Sequence, residues 1–107
     1  MTTYDLYGFF LTDINKAKEV LENTLSVKFE GHDSFYHGEY FKWSDEYSEE
    51  NFVLKRNIDP IDEEPVEIQF AEYPILLYVN DTLRSVGIQG IMAQKSKDFT
   101  LLRHEEL

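Results

Sequence analysis

Residues 4–11 are apolar or aromatic almost without a break, which predicts a strand, and Gly8 in its middle predicts a bulge or a close approach to the backbone. The period then changes. Ile14, Ala17, Val20, Leu21 and Leu25 recur at spacings of three and four, with Lys16, Lys18, Glu19, Glu22 and Asn23 on the other side. That pattern predicts an amphipathic helix over residues 13–26, capped by Thr12 or Asp13. Residues 27–30 read as a short extended segment ending at Gly31. Residues 35–43 and 51–58 read as strands joined by the acidic stretch 44–50.

Residues 59–65 are an acidic loop bracketed by Pro60 and Pro65. Val66, Ile68 and Phe70 alternate with Glu67 and Gln69, which predicts a further strand. Residues 73–79 are apolar enough for a strand buried on both faces. A helix over residues 82–94, capped by Asp81, carries Leu83, Val86, Gly90 and Ile91 on its apolar side. Gly87 and Gly90 each cost that helix about 1 kcal/mol relative to alanine, and close packing on the sheet would explain them. A turn at 95–98 and a last strand at 99–103 precede a charged tail. The sequence predicts one domain over residues 1–107 of α+β class: a mixed or antiparallel sheet with two helices on one face, a ferredoxin-like variant.

Charge sharpens this picture. The 107-residue chain has net charge −11, and residues 33–67 alone carry eleven acids and three bases. Phe35, Tyr36, Tyr40, Phe41, Trp43, Tyr47 and Phe52 are threaded through the same stretch. Acid and aromatic together suit docking onto a basic protein. They argue against nucleic acid, whose phosphates repel carboxylates, and against anionic lipid. With no cysteine, disulfides, thiolate metal sites and cysteine catalysis are excluded. No basic and apolar leader is apparent, and no apolar run approaches the roughly 20 residues of a membrane span. A cytoplasmic protein is the expectation.

Catalytic signals are weak. Ser34 lacks the Gly-x-Ser-x-Gly elbow of an activated nucleophile, and no pair stands out among the eleven acids for general acid–base work. His32, Asp33, His37 and Glu39 could sketch an oxygen/nitrogen site for a divalent metal, which makes a small metal-binding or metal-dependent hydrolytic domain the alternative reading.

The run His32-Asp33-Ser34-Phe35-Tyr36-His37-Gly38-Glu39-Tyr40-Phe41 resembles a stretch of small bacterial immunity proteins. These guard cells against polymorphic toxins, including contact-dependent growth inhibition effectors. The resemblance extends through the helix Lys16-Ala17-Lys18-Glu19-Val20-Leu21-Glu22 and through Val53-Leu54-Lys55-Arg56-Asn57, Leu76-Leu77-Tyr78-Val79 and Leu101-Leu102-Arg103. It implies a non-enzymatic protein, without cofactor or metal, that binds a cognate toxin C-terminal domain and occludes its active or substrate-binding surface. Many such toxins are nucleases with basic channels, which an acidic face would meet. The expected contacts are Tyr36, Glu39, Tyr40, Trp43, Asp45, Glu46, Glu49 and Glu50, with Asp62, Glu63 and Glu64 as further ones.

Overall fold

In the computed structural model, which describes residues 2–35, 38–95 and 98–107, the first helix is α1 (Ile14–Leu25). The Asp13 carboxylate accepts from the backbone N–H of Asn15 (3.0 Å) and Lys16 (3.2 Å), satisfying two donors that the helix leaves open. Ser26 ends the helix in a left-handed conformation (φ 56°). The predicted limits therefore hold. Tyr36 and His37, and Ser96 and Lys97 of the expected 95–98 turn, lie outside the described residues.

The strands are β1 (Thr3–Phe9), β2 (Glu30–Ser34), β3 (Gly38–Ser44), β4 (Asn51–Arg56), β5 (Ile75–Thr82) and β6 (Phe99–Glu106), and the second helix is α2 (Ser85–Lys95). Among the described residues these six strands form one sheet in the order β2-β3-β4-β5-β1-β6, and every neighbouring pair is antiparallel. The fold is thus α+β, with an antiparallel rather than mixed sheet. Phe9, Phe52, Leu54, Ile75, Leu77 and Val79 share one sheet face and pack with Ile14, Ala17 and Leu21 of α1 and Ile88 and Met92 of α2. All of these are buried, and each of the side chains larger than Ala17 contributes on the order of 1.5–3 kcal/mol of transfer free energy.

The connection from β4 to β5 accounts for one failed expectation. Residues 66–70 do not form a strand. Antiparallel β4 and β5 are already direct neighbours, so the segment that connects them cannot insert as a strand between them. Its backbone groups go instead to a 3₁₀ turn at Ile68–Phe70 and to the buried side chain of Asn57. The Asn57 amide donates to the carbonyls of Phe70 (2.9 Å) and Tyr73 (3.0 Å) and accepts from the N–H of Glu67 (2.9 Å). This staple brings Tyr73 over Gly8 on the sheet face opposite the helices. A Cβ at Gly8 would stand 2.5 Å from the Tyr73 ring and 2.7 Å from Leu102, so the close approach expected of this glycine is present. Gly8→Ala is expected to lose about 1–3 kcal/mol through overpacking. Urea denaturation checks this, and a loss under about 0.5 kcal/mol would mean that Tyr73 swings aside freely.

The second helix also differs from expectation at its start. β5 runs through Asp81 and Thr82, with Thr82 paired to Thr3, so α2 begins three residues later than predicted. Asp81 is no cap; its carboxylate accepts from the Tyr4 hydroxyl. Gly87 and Gly90 do not pack on the sheet either. Both are exposed, and an added Cβ would meet nothing within 4 Å.

Candidate functional site

The acidic stretch after β3 is a built turn. The Asp45 N–H donates to the Glu50 carbonyl (3.0 Å), the Ser48 hydroxyl to the Asp45 carboxylate (2.8 Å), and the Asn51 amide to the Glu49 carbonyl (3.0 Å). Glu50 turns inward from this frame. Its carboxylate accepts from Thr82 Oγ1 (2.6 Å), from Arg84 Nη2 (2.7 Å) and from Arg84 Nε (3.0 and 3.1 Å). Burial pushes the Glu50 carboxyl up, but the hydrogen bonds from Arg84 and Thr82 and the guanidinium charge outweigh it and hold the group below the usual carboxylate range. This pair bolts the β3–β4 turn to the β5–α2 junction.

Between the two elements lies an open cleft of about 800 Å³. Trp43, Tyr47, Asp45, Glu49, Asp81, Leu83 and the Glu50–Arg84 pair line it. Trp43 is half-buried, its ring tilted against Phe52 at 4.6 Å between centroids. Tyr47 stands 92% exposed. With Glu50 neutralised by Arg84, the carboxylates of Asp45, Glu49 and Asp81 leave the cleft net negative beside two aromatic rings. Such a surface suits a guanidinium or ammonium group.

No protein-family model and no curated protein matches this chain.

Of the contacts expected from the sequence, the structure gathers Trp43, Asp45, Glu49 and Glu50 in this cleft and leaves Glu46 exposed on the same turn. The others are scattered. Tyr40 is one strand position out of phase with Trp43 and faces the opposite side of the sheet, where it stacks on His32 (5.1 Å). Glu39 is exposed on β3, 3.5 Å from Arg56. Asp62, Glu63 and Glu64 are exposed on the β4–β5 connection, with the Asp62 carboxylate bonded to the Glu64 N–H (2.9 Å). Tyr36 lies outside the described residues. Asp81, Leu83 and Arg84 went unforeseen, because only the tertiary fold brings them beside residues 43–50.

The alternative metal set is also divided. His32 and Asp33 are consecutive strand residues and point to opposite faces; Asp33 sits across from Glu39, and His32 across from Tyr40. Among the described residues no group of three or more histidine or acidic side chains is placed to hold a metal ion; His37 is not among them.

A second polar cluster was not anticipated. Buried Asp5 of β1 accepts from Ser85 Oγ (2.6 Å) and lies 2.5 Å from His104 Nδ1; Gln89 donates to the same Ser85 oxygen (3.0 Å). The Asp5 hydrogen bond raises His104 above the usual imidazole range against the cost of lost hydration. The residue types are those of a triad, but the wiring is not. Ser85 donates its hydrogen bond to the carboxylate and lies 3.5 Å from His104 Nδ1, the nitrogen that faces Asp5, while His104 Nε2, the nitrogen a triad would aim at the serine, faces Glu106 (3.5 Å). The cluster fixes the start of α2 against β1 and β6.

Proposed function

We propose that this protein is an immunity protein, acting in the cytoplasm without catalysis of its own, that binds the C-terminal toxin domain of a polymorphic, contact-dependent growth inhibition type effector. It neutralises a basic, nuclease-like surface by covering it. The observation that carries this reading is the net-negative, aromatic-lined cleft in which Glu50 is neutralised by Arg84. Its carboxylates favour a basic partner, and its rings provide the desolvated anchors typical of tight interfaces. The absence, among the described residues, of any helix long and apolar enough to cross a membrane is compatible with this role. The strand order β6-β1-β5-β4, with α1 after β1 and α2 between β5 and β6, supports a ferredoxin-like variant whose edge is extended by the β2–β3 hairpin.

Co-expression with the toxin domain encoded immediately upstream tests the reading, scored by growth rescue and co-purification. Failure of both, with a folded protein and a demonstrably toxic neighbour, would remove it. Within such a complex, Glu46→Lys with Glu49→Lys is expected to slow association about tenfold at low salt and much less at high salt, because electrostatic steering is screened. Both side chains are exposed, so folding is unaffected. Stopped-flow association at two ionic strengths checks this; equal rates would take the acidic turn out of recognition.

A further inference from the structure

Leu83 and Val86 are 77% and 84% exposed, although their spacing is that of a buried helix stripe. α2 buries a different stripe, Ser85, Ile88 and Met92: the two apolar side chains join the core and Ser85 hydrogen-bonds to buried Asp5. The solvent side carries no charge before its last residue. Ser85–Lys95 contains no acid in a chain that has 21, and its one base is the terminal Lys95. Solvent faces of amphipathic helices ordinarily carry charged residues. Here Val86 is followed by Gly87 and Gly90, both open to solvent, each at a cost of about 1 kcal/mol that no contact inside the fold offsets.

Leu83 and Arg84 also form the ridge between two hollows. One is the acidic cleft of about 800 Å³; the other, of about 440 Å³, extends along α2 and is walled by His104 and Glu106. The carboxylates beside the ridge are Asp45, Glu49 and Asp81 on one flank and Glu106 on the other, while Arg84 is held by Glu50.

From this arrangement we infer that the exposed pair Leu83, just before α2, and Val86, in its first turn, is the apolar anchor of the toxin interface, taking an aliphatic side chain of the toxin domain whose neighbouring arginine or lysine enters the acidic cleft. This deepens the proposed immunity function and rests on it. Charge selects the occupant. A second copy of this chain would bring −11 against −11, whereas a basic domain complements the rim. The glycines let the partner's backbone approach the helix closely.

The test uses the upstream-encoded toxin domain, made catalytically inactive, titrated by calorimetry and surface plasmon resonance. Leu83→Ser with Val86→Ser is compared with Ile61→Ser with Ile68→Ser, an exposed apolar pair on the β4–β5 connection. The first pair is expected to weaken binding by about tenfold or more, mainly through faster dissociation and with the salt dependence unchanged. The control should stay within about twofold. Hydrogen exchange on the wild-type complex gives a readout independent of variant folding, with protection expected over α2. If wild type binds, a Leu83/Val86 variant within about twofold of it, or no protection over α2, overturns the inference and leaves the immunity reading standing. If wild type neither binds nor protects cells, both fall. A wild-type dimer that this double substitution converts to monomer would also overturn it, because the face would then belong to a second copy.

Discussion

Arg84→Ala is expected to destabilise the protein by about 3 kcal/mol near neutral pH, the low end of the ~3–5 kcal/mol typical of breaking a buried ion pair. The lower end applies because the Arg84 side chain is 51% exposed, so water already reaches one partner. The Glu50 side chain is only 9% exposed and would keep one strong donor, Thr82 Oγ1. The loss should shrink in acid. Glu50 is held below its unfolded pKa in the native protein, so its favourable contribution is present above the unfolded value and is lost as pH falls through the folded one. Without Arg84 the dominant remaining influence is burial, which favours the neutral acid. Lowering the pH therefore relieves the variant while removing an advantage from the wild type. Urea midpoints at pH 7 and pH 4 with matched slopes measure both effects. Adding Glu50→Gln to Arg84→Ala should recover part of the loss, since no buried charge is then left behind. A loss below about 1 kcal/mol would place the pair among ordinary surface ion pairs.

Phe52→Ala should cost about 3–5 kcal/mol. Phe52 lies in β4, is 0% exposed, and packs in the core between the sheet and the helices. Its ring is also the floor beneath Trp43 at the mouth of the cleft. The substitution should therefore do two separable things. It lowers the denaturation midpoint, and it shifts the emission of Trp43, the single tryptophan in the chain, to the red in the folded state as its support is lost. Phe52→Leu, which keeps most of the volume, should cost less than half as much. A loss from Phe52→Ala below about 2 kcal/mol would mean that the surrounding core collapses into the space.

The sequence revealed what local physics determines. α1 was readable to its caps because both the apolar period and the Asp13 oxygen act within a few residues. The acidic, aromatic character of residues 43–50 was readable for the same reason. Glu50 could not be told from Glu46 or Glu49, since its distinction is a guanidinium 34 positions away. The rotation of α2 was hidden in the same manner: the polar residue that turns inward, Ser85, does so for Asp5, 80 positions earlier. The alternation at residues 66–70 was genuine, but the segment joins two strands that already pair with each other, and Ile68 ends up 77% exposed. Tyr40 and Trp43 looked like one patch in sequence, yet an odd spacing along a strand separates them to opposite faces.

The position of β1 between β5 and β6 delays its pairing as the chain is synthesised. This first strand pairs with neither its sequence neighbours nor the early hairpins; the first partner of Phe9 is Ile75. At ~5–20 residues per second, a ribosome takes on the order of several seconds to cover that interval. Leu6, Tyr7 and Phe9, all buried in the finished fold, must wait that long for their neighbours, and the β2–β3–β4 meander can form before them. Because the Glu50–Arg84 pair also spans the late strand β5, the cleft beside it is assembled only after this delay.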